Sequence, residues 1–168
     1  VDRSGARGVF VIYPNDENLE SLYKEAKEES DIGEVLIEEY IEGEQISTES
    51  IMWEGNAYTP GFVDRNYEML DRFAPRIIEN GGTHPSKYTG KERTDIEQLV
   101  EKAALALGIV NGVAKGDVVI TKDGLPMIIE MAARLSGGDF SESLIPLGCG
   151  VNIVEAAIKI SLGNAPDI

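Results

Sequence analysis

Two carboxylates, Asp117 and Glu130, flank an Asp123-Gly124 dipeptide in the segment GDVVITKDGLPMIIE. Asp-Gly favours a two-residue type I′ hairpin loop, because both central residues of that loop need positive φ. Counting back from such a loop pairs Lys122 with Leu125 and places Asp117 directly opposite Glu130. Opposed side chains on one face of an antiparallel pair stand about 4.5 to 5.5 Å apart. Two like charges at that distance require a counter-ion.

Mg²⁺ is the counter-ion that this pair of acids predicts. It is a hard cation held by one or two carboxylates and completed by phosphate oxygens and water. The neighbouring positions are apolar, which predicts a covered sheet, where an isolated carboxylate is costly. Alternation with a period of two carries the same face to Ala132 and Arg134, which adds room and a cation beside the metal. These residues suit a metal-bound triphosphate.

Two other interpretations of the hairpin are open. The acids could be the solvated ends of an ordinary hairpin, with Arg134 as their salt-bridge partner. A three-residue loop would slip the pairing by one residue and turn one acid to the other face of the sheet.

The composition narrows the class of protein. The chain has 168 residues and a formal net charge of −15, which argues against nucleic acid as the main partner. No apolar run approaches about 18 residues and no signal peptide is recognised, so no membrane partner is expected. The single Cys149 fits a reducing cytoplasm, which is the expected location. Because the sequence starts at Val1 in a glycine-rich loop, it suggests a piece of a longer protein.

The first half of the chain is predicted to hold one helix and several strands. In order, we expect a strand over 8–13, a helix that Asn15 or Asp16 caps and that runs to about Glu29, a strand over 34–41 and an antiparallel meander over 42–64 with a turn at 54–56. Residues 65–88 show little periodicity and indicate a surface excursion of the kind that often holds a substrate. His84, the only histidine, is expected to be a polar loop residue there.

The second half contains the best-defined helix pattern. Thr94 and Glu97 form a capping box, an apolar face follows to Leu107, and Gly108 supplies the position after the C-cap. The hairpin comes next, followed by a short helix over 139–147 and another over 151–162 that Asn152 would cap. Helices mixed with antiparallel strands predict an α+β fold.

Three segments, in this order, resemble the ATP-grasp family. SGARGV at 4–9 resembles the glycine-rich lid over the ATP phosphates, and LIEEYIEGEQIS at 36–47 resembles the hinge that holds adenine and ribose. The hairpin and its continuation AARLSGG at 132–138 resemble the final metal hairpin. The resemblance implies an ATP-grasp-type antiparallel sheet packed with helices over 41–168, the C-terminal large subdomain. Residues 1–40 would be the remnant of the small lid subdomain.

The resemblance implies ATP and Mg²⁺, or Mn²⁺, as cofactors. Its metal ligands would be Asp117 and Glu130, while Arg134 would stabilise the transferred phosphoryl group. The residues that would bind the nucleotide are Ser4, Gly5, Ala6 and Gly8 at the phosphates, Glu38, Glu39, Tyr40 and Ile41 at adenine, and Glu44 at the ribose. Substrate candidates are Arg65, Arg76, Gly137 and Gly138. Ala132 stands where the family often has an asparagine ligand, which weakens a second metal position.

The implied activity is that of a carboxylate–amine or amino-acid ligase that makes an acyl phosphate for attack by an amine. One alternative is formation of carbamoyl phosphate from bicarbonate and ammonia, and another is a non-catalytic nucleotide-binding module. Expected partners are the small-molecule acid and amine, an N-terminal domain of the same protein, and a second copy in a homodimer. The 168 residues alone are expected to bind ATP poorly and to turn over nothing.

Overall fold

A computed structural model describes residues 5–168, so the predicted lid residue Ser4 lies outside the described residues. The elements follow one another in an order that mixes helices with antiparallel strands. They are α1 (Leu19–Glu29), β1 (Gly43–Trp53), β2 (Asn56–Arg65), α2 (Leu70–Phe73), β3 (Gly82–Thr83), α3 (Gly90–Ala106), β4 (Gly112–Thr121), β5 (Pro126–Ala132), a π-helical turn (Phe140–Leu144), α4 (Ile145–Cys149) and α5 (Ile153–Ser161).

The chain divides into two compact units. The first unit contains the residues up to Ile41 together with Asn66–Gly81, and the second contains Glu42–Arg65 and Gly82–Ile168. The excursion after β2 is therefore grouped with the N-terminal segment rather than with the sheet. The predicted assignment of 1–40 and 41–168 to two ATP-grasp subdomains stays a prediction.

The second unit is built on a five-stranded antiparallel sheet in the order β3-β2-β1-β4-β5. This arrangement confirms the predicted α+β fold and the meander of β1 and β2. Alternate residues of β1 pack against different helices: Ile46 and Met52 contact α3, whereas Ile51 packs with the π-helical turn and the helices after it. Strand β1 is covered on both faces, which explains the unbroken run of buried residues from Thr48 to Met52.

Two predicted strands in the first unit are wrong. Residues 8–13 contribute only an isolated bridge between Phe10 and Arg76, and no strand forms over 34–41 in the described chain. Leu36 and Ile37 are largely exposed there. A strand needs a hydrogen-bonded neighbour, so an apolar run alone does not make one. Helix α1 also begins later than predicted, at Leu19.

Helix α3 begins one turn before its predicted start. Thr94 is already inside the helix, where its hydroxyl donates to the Gly90 carbonyl (3.1 Å), so the predicted capping box is wrong. A Ser or Thr hydroxyl that finds a carbonyl four residues back is satisfied without capping. The predicted apolar face is confirmed by burial of Ile96, Val100 and Ala104. Gly108 has φ +78°, as its predicted place after the C-cap requires.

The C-terminal helices follow the predicted pattern. The π-helical turn and α4 occupy the first predicted helix, and α5 the second. The Asn152 side chain accepts from the Glu155 N–H (3.1 Å), which confirms the predicted cap. Within residues 5–168, no single helix is long and apolar enough to cross a membrane. The pair Phe140–Cys149 and Ile153–Ser161, bent by 118°, meets the requirement by length and composition alone.

Candidate functional site

The loop between β4 and β5 has three residues, so the predicted two-residue type I′ turn is wrong. The Thr121 N–H donates to the Leu125 carbonyl (3.0 Å), which closes the loop around 122–124. Of the two residues that a type I′ turn would hold at positive φ, only Gly124 has it (φ +79°). A three-residue loop that ends in one left-handed residue is the next most common hairpin connection.

A β-bulge restores the predicted pairing of the acids. The longer loop shifts the register by one residue, so Val118 lies opposite Ile128. The register then shifts again between Val118 and Asp117, which leaves Ile129 as the extra residue and brings Asp117 opposite Glu130. A bulge places two residues of one strand against one of the other and so cancels the slip. The predicted opposition of Asp117 and Glu130 is confirmed, although the turn that led to it is not.

The two acids differ in their exposure to water. Asp117 is 6% exposed, whereas 56% of the Glu130 side chain is exposed. The prediction of a covered sheet therefore holds for β4 but is wrong for β5, where Met127 and Ile129 are each 43% exposed. Strand β5 is the edge strand, with a neighbour on one side only. The site thus combines a buried carboxylate with one that water or a ligand can reach.

Three groups contact the buried Asp117 carboxylate. The Ser47 hydroxyl donates to Oδ1 (2.7 Å), an Arg65 nitrogen lies 3.1 Å from Oδ2, and the Lys115 ammonium donates to the same Oδ2. The Lys115 ammonium is also 3.9 Å from the Glu130 carboxylate. A buried charge requires such neutralisation. The predicted substrate candidate Arg65 therefore lies against Asp117, one of the two predicted metal ligands.

Sequence reasoning missed Ser47 and Lys115. The signal for Lys115 was its spacing of two from Asp117, which puts both on one face of β4. Ser47 faces Asp117 across the β1–β4 pair, which only the register of two distant strands reveals.

The predicted ribose acceptor Glu44 lies in a second polar cluster. The Tyr88 hydroxyl donates to Glu44 Oε2 (2.6 Å), and the Lys87 ammonium is 2.5 Å from the same oxygen. The bond from Lys87, and then that from Tyr88, hold the pKa of Glu44 below its usual range. Burial raises the pKa of the Tyr88 hydroxyl, and the carboxylate of Glu44 raises it further. Glu44 therefore stays ionised and able to accept hydrogen bonds, while Lys87 and Tyr88 are residues that the sequence did not single out.

The other predicted nucleotide residues lie in the first unit. Glu38, Glu39 and Tyr40 are exposed and Ile41 is half-buried, and all four lie outside helices and strands. The lid residues Gly5, Ala6 and Gly8 have φ of +74°, +55° and +68°. Arg76 lies over the Phe10 ring and donates to Glu25 (2.6 Å). The binding roles of these residues stay predictions.

Arg134 lies beyond the end of β5, which contradicts its predicted place on the strand face. The strand ends at Ala132, and the exposed Arg134 guanidinium donates to the Leu135 carbonyl (3.2 Å). Gly137 and Gly138 follow in the same loop, and a Cβ added at either would meet no atom within 4 Å. The backbone at these two glycines is therefore not covered by neighbouring atoms on that side.

Glu49 anchors this loop to β1. The Glu49 side chain is fully buried, and it accepts from the Ser136 N–H (2.8 Å) and from the Ser141 hydroxyl (2.7 and 2.8 Å to its two oxygens). Burial raises the pKa of the Glu49 carboxyl, while the two serines and the charge of Arg134 oppose that rise. The signal in the sequence was an acid within the apolar run of STESIMW. Glu49 therefore fixes the segment that carries Arg134.

The donor set at Asp117 and Glu130 suits magnesium bound together with phosphate. In the part of the chain that the structure describes, no three His, Cys, Asp or Glu side chains converge on one metal position. Mg²⁺ is held in many sites by one or two carboxylates plus substrate phosphates, without an all-protein cage. The two facing carboxylates fit this mode of binding.

His84 contacts two buried aromatic residues, Phe62 and Phe140. Its Nδ1 is 2.8 Å from the Phe62 carbonyl, and its ring stands edge-on to Phe140 at 6.0 Å between centroids. A Cβ on Gly148 would overlap the His84 ring. His84 is half-buried, so the expected polar loop residue is in fact a packed one.

Gly148→Ala is expected to lower the free energy of unfolding by about 1–2 kcal/mol. Overpacking costs about 1–3 kcal/mol, which exceeds the gain of up to about 1 kcal/mol from replacing a helical glycine. Urea denaturation measures the change. Gly137→Ala is the matched control, because its Cβ meets open space, and it should leave stability within about 0.5 kcal/mol. Equal stability of both variants would contradict the overlap with His84.

The chain matches the family model of the ATP-grasp domain over residues 4–138. No curated protein matches it. Among solved structures, it is similar to the biotin carboxylase of Campylobacter jejuni in a β-γ-ATP complex, with 26% identity and a TM-score of 0.73 over 99% of this chain and 36% of that one.

Two further solved structures are similar. The L-amino acid ligase of Bacillus licheniformis is 25% identical, with a TM-score of 0.63 over 71% of this chain and 29% of that one. The biotin carboxylase domain of Hydrogenobacter thermophilus 2-oxoglutarate carboxylase, solved with MgADP, ADP and bicarbonate, is 24% identical. Its TM-score is 0.67 over 90% of this chain and 32% of that one, and it shows a shared fold alone. The chain thus spans about a third of these relatives.

Proposed function

The chain belongs to the ATP-grasp family, and from this premise we propose that it is part of an ATP- and magnesium-dependent ligase that joins a carboxylate to an amine. The observation that carries the proposal is the opposition of Asp117 and Glu130, one buried and one exposed, at the edge of the sheet. A divalent ion needs ligands fixed by the protein and a side that faces its phosphate ligand. This pair supplies both.

In the proposed reaction, a substrate carboxylate oxygen attacks the γ-phosphorus of ATP, and the bond to ADP breaks. An amine then attacks the acyl carbon of the acyl phosphate, inorganic phosphate leaves, and the amine nitrogen loses a proton. Both steps gather negative charge at one centre, which is the charge that metal ions and arginine stabilise in phosphoryl transfer.

Each residue of the site has one task in this proposal. Asp117 and Glu130 would hold Mg²⁺, which would supply positive charge to the phosphate oxygens. Ser47 fixes the rotamer of Asp117 through its 2.7 Å hydrogen bond. Arg134 stabilises charge on the transferred phosphoryl group, and the backbone at Gly137 and Gly138 donates to the acidic substrate.

The nucleoside part of ATP is assigned to the cluster around Glu44. Its ionised carboxylate accepts from the ribose hydroxyls, because one of its oxygens, Oε1, is not used by Tyr88 or Lys87 in those contacts. Lys87 adds a cation beside that carboxylate. The adenine edge is assigned to the backbone of Glu39 and Ile41 by resemblance.

The experiment that tests the proposal is ADP release by the full-length protein, offered panels of amino acids and other carboxylates with and without amines. Release that requires both an acid and an amine supports the ligase. Strict dependence on bicarbonate would identify the carbamoyl phosphate reaction instead. Binding of Mg·ADP without turnover on any acid would identify a non-catalytic module and contradict the proposal.

A further inference from the structure

The Lys115 ammonium lies close to both acids of the candidate metal site. Its ammonium donates to Asp117 Oδ2 and lies 3.9 Å from Glu130 Oε1. Only 12% of its side chain is exposed, although a lysine is seldom buried without a partner. A cation that lies this close to both carboxylates lies beside the position expected of a metal ion, where it can contact a phosphate bound to that ion.

The residue opposite Lys115 makes that position available. Lys115 pairs with Ala132 across β4 and β5, so the facing side chain is a single methyl group. Opposed side chains in such a pair are about 4.5–5.5 Å apart at Cβ, and a longer residue at 132 would compete with the lysine for the same space. The small residue and the long one are therefore complementary.

The charges of the cluster also bear on how many ions it takes. Asp117 and Glu130 are matched by Lys115 and Arg65, so the four side chains are neutral together. Sites that transfer phosphoryl groups work with one or with two divalent ions. With Lys115 and Arg65 already present, one divalent ion makes the net charge of the site positive, which favours binding of a triphosphate. A second divalent ion would have to displace Lys115.

We propose that Lys115 is a resident cation of the ATP site, which binds an oxygen of the β- or γ-phosphate and takes the place of a second divalent ion. The inference rests on the proposed function, since it assigns a ligand to the same site. Lys115 keeps its contact with Asp117 and turns its remaining donors to the phosphate, because an ammonium group has three. Asp117 and Glu130 would then hold a single Mg²⁺.

The competing role for Lys115 is an ion pair that only neutralises Asp117. That role predicts lower stability on removal of the lysine, but no change in the number of ions bound or in the preference for ATP over AMP. AMP lacks the β- and γ-phosphates and shares the rest of the nucleotide. The ratio of the two affinities therefore separates the roles.

The test uses the full-length protein and three variants: Lys115→Met, which keeps the length and removes the charge, Lys115→Arg, which keeps the charge, and Lys122→Met as control. Lys122 lies on the same hairpin, is exposed, and pairs with Glu42. Calorimetry measures ATP and AMP binding with Mg²⁺. Electron paramagnetic resonance counts bound Mn²⁺ per chain with a non-hydrolysable ATP analogue.

One Mn²⁺ per chain is expected in the wild type. Lys115→Met should weaken ATP binding by about 10- to 100-fold, the size of one charge-assisted hydrogen bond, and leave AMP binding unchanged. Lys115→Arg should restore most of the affinity, and Lys122→Met should behave as wild type. Two Mn²⁺ ions in the wild type, or equal weakening of ATP and AMP, would overturn the inference and leave the ligase proposal standing. Failure of the wild type to bind ATP would overturn both.

Discussion

Glu130→Gln is expected to lower the ATP-dependent turnover of the full-length protein by at least about 100-fold. Removing one group that stabilises charge in the transition state has an effect of about this size. Gln keeps the size of the side chain but removes the charge that would hold Mg²⁺. Because more than half of the Glu130 side chain is exposed, the same change should leave the free energy of unfolding within about 0.5 kcal/mol. Loss of activity without loss of stability is the result expected for a residue that binds the metal ion.

Titration of turnover against Mg²⁺ measures the effect directly. The variant should need a higher Mg²⁺ concentration for half-maximal activity, because one of two carboxylates is missing. Asp123→Asn is the matched control, since it removes an exposed acid from the same hairpin at a position away from the pair. If Glu130→Gln kept wild-type turnover and Mg²⁺ dependence, the metal assignment would be lost.

Asp117→Asn is a less clean test of the same assignment. It should also abolish turnover, but it leaves Lys115 and Arg65 beside a neutral amide in a buried position. Removing one member of a buried ion pair costs about 3–5 kcal/mol, so this variant should lose stability as well. Turnover and unfolding must both be measured for it.

Glu49→Ala is expected to lower the free energy of unfolding by about 2–4 kcal/mol. The change opens a cavity and takes the acceptor from the buried Ser136 N–H and Ser141 hydroxyl, and each unsatisfied group costs about 1–3 kcal/mol. Such a loss is a large share of the free energy of unfolding of a typical domain, which is about 5–15 kcal/mol. The loop with Arg134 would lose its anchor, so turnover should fall beyond what the unfolded fraction explains.

Glu49→Gln separates the charge of this side chain from its shape. Burial raises the pKa of Glu49 above its ordinary 4.5, so the folded protein binds the proton more tightly than the unfolded chain. The contribution of Glu49 to stability is therefore full below pH 4.5 and is lost as pH rises through the folded pKa. The Glu49→Gln variant has no carboxyl group at this position, so its stability relative to wild type should increase as pH rises from 4.5 through the folded pKa of Glu49.

Chemical denaturation of both proteins at a series of pH values from about 4 to 8 measures this difference. Glu142→Gln is the control, since it changes an exposed acid in the same π-helical turn as Ser141. Parallel pH profiles for wild type and Glu49→Gln would contradict a raised pKa. They would leave the anchoring role to be judged from Glu49→Ala.

Two elements whose signal is local were predicted well, although the capping box at Thr94 was not. The apolar face of α3 and the cap at Asn152 depend on neighbours within a few residues, which the sequence displays. The strands predicted over 8–13 and 34–41 failed because a strand depends on a partner elsewhere in the chain. In the described residues, those segments find only the bridge at Phe10.

The prediction of the β4–β5 hairpin was correct in its result but wrong in the turn on which it was based. The pairing of Asp117 with Glu130 was predicted from a two-residue Asp-Gly turn that does not form, and a bulge at Ile129 restores that pairing. Counting along the sequence does not distinguish a two-residue loop from a three-residue loop with a compensating bulge, since both bring Asp117 opposite Glu130. The buried face decides between registers, because slipping it would place an acid against the core.

The sequence by itself determined that Asp117 and Glu130 lie on adjacent strands of one hairpin, because both lie within one short segment whose strands can pair in few ways. The bulge at Ile129, which brings the two acids opposite each other, appears only in the structure. Only the tertiary structure decided what surrounds them. Ser47 reaches Asp117 from 70 residues away, and Glu49 holds Ser136 across 87. Such contacts arise from the order of strands in the sheet, which local periodicity does not encode, and they convert a pair of acids into a neutralised, anchored site.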